Sequence, residues 1–230
     1  MSLGEYIGAG SGTTKLLLHL NGNSTDSSGN GNSGTDTNIT WVDGKFGKCA
    51  SFNGSSSYIT IPYSSSLDLG TGGFTIIHWF KTTQTTPGQL IHRQENSGSH
   101  LQIIFTAINE TTGKLSFQIR GSENTSYDLN SATSYNDGNW HCYIAVSTGS
   151  GGNMNIYVDG KLDATRSIGA TTINFGASTV LTVGSVYQSW VPYRAWYYNG
   201  LLDETIIDGD WTPQQVAKYY TMTKGRFGII

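Results

Sequence analysis

Residues 137–146, DGNWHCYIAV, place a tryptophan and a histidine at the start of an apolar segment. A histidine can act as a general acid or base, which would make Trp140 and His141 part of an active site. The residues that follow alternate between the two faces of an extended chain, as in a strand that enters a protein core. The pattern alone leaves the catalytic and the structural interpretation of His141 open.

Carboxylates are the other side chains that could do chemistry here. Glycoside hydrolysis needs two of them facing one cleft, roughly 5–5.5 Å or 6.5–9.5 Å apart. No strand-like segment contains Glu-x-Asp-x-Glu or Glu-x-x-x-Glu. In DETIID, Asp203 and Glu204 fall on opposite faces of a strand, and Asp208 lies at an odd spacing from Asp203. The sequence therefore predicts no catalytic residues and no enzyme, with a glycoside hydrolase as the lesser alternative.

Histidine and cysteine show no spacing typical of a zinc site. Cys49 and Cys142 each lie within an apolar strand pattern, which favours two buried thiols, although one disulfide is possible. The five histidines are scattered along the chain: His19, His78, His92, His100 and His141.

The densest aromatic stretch is SVYQSWVPYRAWYYNG, residues 185–200. Sugar rings stack their C–H faces on aromatic side chains, and their hydroxyls need hydrogen-bond partners once water is removed. Trp190, Tyr193, Arg194 and Trp196 are the candidate ligand-binding residues. The same composition is enriched at protein interfaces, and a loop packed on itself would also contain such residues. All three interpretations stay open at this point.

Composition narrows the class of partner. Only 13% of the 230 residues are charged, the formal net charge is −3, and lysine and arginine form no run. Nucleic acid and membrane insertion are therefore not expected. No segment has the apolar core of a signal peptide. This favours synthesis in the cytoplasm. For a β-domain with a polar surface, we expect display on a virion or another extracellular surface.

Short alternating segments separated by Gly-, Asn- and Ser-rich turns predict about a dozen strands. The segment 73–82, GFTIIHWFKT, is apolar on both faces, which predicts a central strand. One helix is predicted over 212–220, with Thr212 as N-cap and Pro213 at the first helical position. The fold class is all-β: a two-sheet antiparallel jelly-roll sandwich with one short C-terminal helix. The predicted organisation is an N-terminal arm (1–14), one domain (15–222) and a tail (223–230).

The order of several motifs resembles the concanavalin A-like lectin/glucanase superfamily, in its laminin-G-like and pentraxin-like jelly-roll branch. These motifs are LHLNGNSTDSSGN, GKFGKCASFNG, FTIIHWF, DGNWHCYIAV, NIYVDGKL and GLLDETIID. The resemblance covers about Leu16 to Tyr220 and implies that Trp140 and His141 open a strand without doing chemistry. It also implies a structural calcium ion on the convex side, bound by the Asp203 side chain and by carbonyls near Asn21 and Gly54. Asn53 stands where the family has Asp, which weakens any site with two carboxylates.

The sequence and the resemblance together predict a non-enzymatic carbohydrate-binding or adhesion module. Its partner would be a glycan or cell-surface polysaccharide, and display as a phage capsid decoration or tail protein is expected. The alternative is a purely structural virion or assembly protein whose aromatic loop contacts capsid or tail proteins.

Overall fold

A computed structural model describes residues 13–44, 47–96, 101–109, 112–175, 179–188 and 193–227. Within these ranges strands are the main secondary structure, and one α-helix, α1, spans Pro213–Thr223. The strands are, in chain order, β1 (Leu16–Leu18), β2 (Thr35–Thr37), β3 (Thr40–Gly44), β4 (Gly47–Asn53), β5 (Tyr58–Ile61), β6 (Phe74–Lys81), β7 (Gly88–Asn96), β8 (Leu101–Ile108), β9 (Lys114–Arg120), β10 (Ser126–Ser134), β11 (Trp140–Ser147), β12 (Asn153–Val158), β13 (Lys161–Ser167), β14 (Leu181–Val183), β15 (Val186–Gln188), β16 (Tyr193–Ala195) and β17 (Asn199–Gly209).

The strands form two large antiparallel sheets and one hairpin. The eight-stranded sheet has the order β13-β12-β11-β6-β17-β4-β3, and β1 also pairs with β17. The seven-stranded sheet has the order β10-β9-β8-β7-β14-β5-β2, and β15 pairs with β16 alone. Neighbours in each sheet are mostly distant in sequence, as in a jelly roll. The predicted all-β jelly-roll sandwich is confirmed.

The main core lies between the two large sheets, and β6 shows how the sequence forms it. β6 pairs with β11 on one side and β17 on the other, so it is central as predicted. Phe74 and Phe80 point into the core, and the Phe74 ring meets Phe117 of β9 edge-on at 6.1 Å. Ile77 and Trp79 belong to a second buried cluster on the opposite face. Alternation along one strand therefore supplies two separate apolar layers.

The helix α1 covers that second layer on the outer face of the eight-stranded sheet. Thr212 caps it: its hydroxyl accepts from the Gln215 backbone N–H, and the Gln215 side chain returns to the Thr212 backbone N–H. Val216 and Tyr219 are buried against the sheet. The helix is confirmed and extends three residues beyond the predicted end at position 220. No helix in the described ranges is both long and apolar enough to cross a membrane.

Both cysteines are free and buried, as favoured from the sequence. Cys49 lies on β4 and Cys142 on β11, and β17 and β6 stand between these strands. Three strand spacings amount to about 14 Å, far beyond the Cα separation that a disulfide can bridge. Burial raises the pKa of the Cys49 thiol to about 11, with smaller contributions from Asp203 and Asp43. Both side chains therefore act as small apolar groups.

The predicted domain boundaries fall close to the edges of the described ranges. Most of the proposed arm, residues 1–12, lies outside them, whereas Thr14 is buried and its carbonyl accepts a hydrogen bond from Asn30. At the other end, Lys224–Phe227 continue from α1 as a 3-10 turn. The limits at positions 14 and 222 stay predictions.

Candidate functional site

The aromatic stretch forms the β15–β16 hairpin beside the seven-stranded sheet. Val186 pairs with Ala195 and Gln188 with Tyr193. Tyr187 joins the hairpin to β7, because its backbone N–H donates to the Nδ1 atom of a β7 histidine over 3.5 Å. Residues 189–192, which include the predicted ligand-binding Trp190, lie outside the described ranges. The hairpin therefore contributes one wall of a possible site.

Arg194 holds this hairpin in place. Its guanidinium carbon lies 3.5 Å from the ring centroid of Tyr58 and 4.5 Å from that of Tyr187. Its Nη1 donates to Ser185 Oγ and its Nη2 to Thr60 Oγ1, each over 3.1 Å. A planar guanidinium suits this combination of ring stacking and forked donation. The structure thus gives Arg194 intramolecular partners, and we assign it a positioning role instead of the predicted ligand contact.

Trp196 follows the hairpin with an unusual backbone conformation. Its φ is 49°, in the left-handed region that bulky residues rarely adopt. Its carbonyl accepts from the Gln89 backbone N–H at 3.0 Å, which fixes the turn to β7. The side chain is 52% exposed, and that of Tyr193 is 54% exposed. The fold therefore presents two large aromatic rings to solvent from a fixed backbone.

These two rings border a cavity of about 320 Å³ on the outer face of the seven-stranded sheet. That volume lies at the lower end of the range of about 300–1,000 Å³ that is usual for small-molecule sites. The cavity lining alternates along each strand with core residues, which places it on the face away from the core. The described lining residues are His92, Gln94, Ile103, Phe105, Gln118, Val186, Gln188, Tyr193, Ala195 and Trp196.

The floor of the cavity is a row of side chains that crosses three strands. His92 of β7 pairs with Phe105 of β8, which pairs with Gln118 of β9. Asp128 of β10 lies beyond the lining at the end of this row, and its carboxylate accepts a hydrogen bond from the Gln118 amide. The row thus mixes an imidazole, a phenyl ring and an amide beside the aromatic wall. A ligand with one apolar face and several polar groups would match this mixture.

His92 is neutral in this setting. Burial lowers its pKa to about 4, although a hydrogen bond with the Gln94 side chain opposes part of that shift. Its Nδ1 accepts the Tyr187 N–H, so the proton of the neutral ring is on Nε2. His92 therefore contributes no charge to the cavity.

The structure brings together only part of the predicted ligand-binding set. Tyr193 and Trp196 lie at the cavity, and Arg194 faces away from it by alternation along β16. The sequence analysis missed the polar lining from β7 and β9. The signal was present in QLIHRQE and KLSFQIR, where His92, Gln94 and Gln118 occupy alternate, outward positions. Only the pairing of β7, β8 and β9 shows that these positions share one surface.

The structure places Gly54 apart from the other two residues predicted to bind calcium. Asp203 is 2% exposed on β17, and the Asn21 Oδ1 accepts the Lys48 N–H at the start of β4. Gly54 adjoins Asn199, four residues before Asp203 on β17, which corresponds to about 13 Å along the strand. Calcium takes six to eight oxygen ligands around one point, and the described residues contain no group of three His, Cys, Asp or Glu side chains placed to hold a metal. The three-residue set does not fit one ion, and a site on Asp203 and Asn21 stays a prediction.

Trp140 and His141 open β11 as expected. His141 Nδ1 lies 2.8 Å from Asp159 Oδ2, and its Nε2 lies 3.1 Å from Asp137 Oδ1. Both ring nitrogens are thus occupied by carboxylates in adjacent turns. This geometry ties two loops together and leaves neither nitrogen free to accept a proton from a substrate.

Sequence comparison agrees with the fold. A laminin-G-type sequence model of the concanavalin A-like lectin/glucanases superfamily matches residues 53–217, well over half of the chain. The chain belongs to this superfamily. The resemblance seen in the motifs is therefore confirmed. A search of curated protein sequences found no match.

Similar solved structures include two toxin binding domains and one domain of an arabinanase. Domain 4 of AbnA, an extracellular GH43 arabinanase from Geobacillus stearothermophilus solved with arabinotriose, has a TM-score of 0.71 at 22% identity, covering 90% of this chain and 98% of that domain. The binding domain of paraclostridial mosquitocidal protein 1 has a TM-score of 0.71 at 15% identity, covering 91% and 52%. The binding domain of botulinum neurotoxin DC, in complex with SialylT, has a TM-score of 0.68 at 17% identity, covering 91% and 51%. The chain thus spans about half the length of these toxin domains, and the identities show the shared fold alone.

Proposed function

We propose that this protein is a carbohydrate-binding module that binds its ligand in the cavity beside the β15–β16 hairpin. Tyr193 and Trp196 would stack against sugar C–H faces, and the floor would hydrogen-bond the hydroxyls. The observation that carries this proposal is Trp196, which is half exposed at the cavity on a backbone held at φ 49°. Strained backbone of this kind persists where the surrounding structure enforces it, often at ligand sites.

The chemistry of the lining matches a sugar. Each hydroxyl both donates and accepts hydrogen bonds, and a glutamine amide offers two donors and an acceptor. Gln94, Gln118 and Gln188 supply three such amides. Buried hydroxyls without partners are costly, so these groups would orient a sugar as well as hold it.

Binding fits the lining better than hydrolysis. A glycosidase places two carboxyl groups on either side of the bond that it cleaves. The described lining consists of aromatic, aliphatic, glutamine and histidine side chains. Asp128 at the outer end of the floor is a single carboxylate, and it already accepts from Gln118 and Ser126. We therefore infer a non-enzymatic module.

The similar structures support a binding role of this general kind. One belongs to an arabinanase and was solved with arabinotriose, and another was solved with SialylT. A glycan or cell-surface polysaccharide is accordingly the partner that we propose. Display on a virion or another extracellular surface stays a sequence-based prediction.

A protein partner is the alternative, because exposed Tyr193 and Trp196 also suit a protein interface. In that case the hairpin would contact a capsid or tail protein and the cavity would bind no sugar. The two proposals differ in what the floor does. Only sugar binding requires the amides of β7 and β9.

A glycan array that includes arabinotriose, followed by titration calorimetry of the strongest ligand, tests the proposal. Trp196→Ala should weaken binding at least about tenfold, because ring stacking and the water-excluding wall are both lost. Met222→Ala removes another exposed apolar side chain, from α1 on the opposite side of the sandwich, and should leave the affinity unchanged. Equal affinity in the Trp196→Ala protein, or no glycan binding by the parent, would contradict the proposal.

A further inference from the structure

The charge of the cavity determines which glycans it can accept. The described lining contains two exposed aromatic rings, three glutamines and one histidine, with no lysine, arginine, aspartate or glutamate. His92 is neutral near pH 7 because burial lowers its pKa to about 4. A ligand carboxylate that entered this space would lose water without gaining a counter-charge, which is strongly unfavourable.

Two cations on strands that contribute to the lining, Arg194 on β16 and Arg120 on β9, both have intramolecular partners. Arg194 is held between Tyr58 and Tyr187 and donates to Ser185 and Thr60. It alternates with the lining residues of β16 and therefore faces away from the cavity.

Arg120 is the second cation, on β9 opposite Ile103. Its Nε and Nη2 both donate to Asn124 Oδ1, over 3.0 and 2.6 Å. Asp128, two residues beyond Ser126 in β10, lies beside Gln118 and places a negative charge at the outer end of the floor. An acidic sugar would therefore approach a carboxylate at that end of the cavity.

We propose that the cavity selects neutral oligosaccharides and rejects acidic ones, an inference that rests on the proposed carbohydrate-binding function. The selection is electrostatic, since sialylated or uronic-acid glycans would have the same hydroxyls available for the amides. Neutral ligands would gain ring stacking and hydrogen bonds without paying for an unpaired charge. Their binding should change little with ionic strength, because no ion pair would form.

The test is an array of paired glycans, each neutral oligosaccharide printed beside the same glycan carrying a sialic acid or oxidised to a uronic acid. We expect the acidic member of each bound pair to bind at least about tenfold more weakly. Acidic members that bind as tightly as their neutral partners, or more tightly, would overturn the selectivity and leave the carbohydrate-binding function intact. Binding of no glycan at all would overturn the proposed function and this inference with it.

Two variants test the electrostatic cause directly. Gln118→Lys exchanges one floor amide for a cation and should raise the affinity for acidic glycans relative to their neutral partners about tenfold. The matched control, Gln214→Lys, adds the same charge to the exposed start of α1 and should change nothing. Arg120→Gln should leave the parent protein's preference for neutral over acidic glycans unchanged. Loss of acidic-glycan binding in Arg120→Gln would instead show that Arg120 serves as an anion contact, and would overturn the inference.

Discussion

At the hairpin, Trp196 has a strained backbone conformation that a hydrogen bond holds in place. A bulky residue in the left-handed region costs about 1–3 kcal/mol, and Trp196 adopts it at φ 49°. The hydrogen bond from the Gln89 N–H to the Trp196 carbonyl holds that conformation. Because the turn is fixed before any ligand arrives, little ordering entropy remains to be lost on binding.

Arg194 should matter for binding although it does not touch the ligand. Arg194→Lys keeps the charge and loses the planar fork that stacks on Tyr58 and Tyr187. We expect the free energy of unfolding to fall by about 1 kcal/mol and the glycan affinity to fall about three- to tenfold as the wall loosens. Urea unfolding and calorimetry measure the two effects.

Arg166 offers a matched control for this substitution. Its guanidinium lies 5.6 Å from the Tyr127 ring and donates to the Asp128 carbonyl, away from the hairpin. Arg166→Lys should lower stability slightly without changing affinity. An Arg194→Lys protein with unaltered affinity would show that the clamp does not position the aromatic wall.

The calcium prediction can be tested at Asp203. If an ion binds there, calcium should raise the melting temperature of the parent relative to the same protein with chelator, through the linkage of binding to folding. Asp203→Asn should abolish that rise. Asn53→Ala, at the end of β4 near Gly54, serves as the control and should keep it. Identical melting with calcium and with chelator in the parent would contradict the prediction.

At the scale of elements, His141 joins two turns. Asp137 precedes β11 and Asp159 lies between β12 and β13, and each carboxylate bonds one nitrogen of the ring. Burial lowers the pKa of His141, but hydrogen bonds and charges from Asp159 and Asp137 outweigh that effect, and the net shift is upward. The protonated ring is therefore favoured, because its positive charge lies between the carboxylates of both turns.

This arrangement predicts a pH dependence of stability. A raised pKa in the folded state stabilises the protein below the ordinary value of 6.5, and the contribution is lost as the pH rises through the folded pKa. Tyr135, which faces the ring, has its pKa raised to about 12 and stays neutral throughout. His141→Asn should lower the free energy of unfolding more at about pH 6 than at about pH 8. Urea titrations at both values measure the difference.

Asp137→Asn is the intermediate case, because it removes one of the two carboxylates and leaves Asp159 in place. It should reduce the pH-dependent difference without abolishing it. An effect of His141→Asn that is equal at both pH values, or larger at the higher one, would show that the shared cation does not contribute.

Elements with a local signal could be predicted from the sequence. β6 alternates on two apolar faces, and α1 begins at a Thr-Pro pair, so both were predicted at nearly the observed positions. The cavity had no such signal. Its floor joins strands β7, β8 and β9 to a hairpin about seventy residues later, and ordinary glutamines become a site only through that pairing. Gly54 lies apart from Asp203 for the same reason, because residue spacing does not reveal which end of a strand a loop meets.

At the scale of the whole molecule, the two outer faces of the sandwich differ. Helix α1 covers the outer face of the eight-stranded sheet over Trp79, whereas the outer face of the seven-stranded sheet has an open cavity beside the β15–β16 hairpin. Structures with 15–22% identity share this framework. The framework is therefore compatible with many sequences, and function depends on the residues that each sequence places on it.

The most direct measurement is an NMR titration of isotope-labelled protein with the neutral oligosaccharide that binds most tightly on the array. The account predicts that shifts concentrate in the amides of β7, β8, β9 and β15–β16 and in the indole N–H of Trp196. Amides of α1 and of β11 and β12 should stay unchanged. Shifts centred on α1 or the outer face of the eight-stranded sheet, with Trp196 unaffected, would contradict the placement of the binding site.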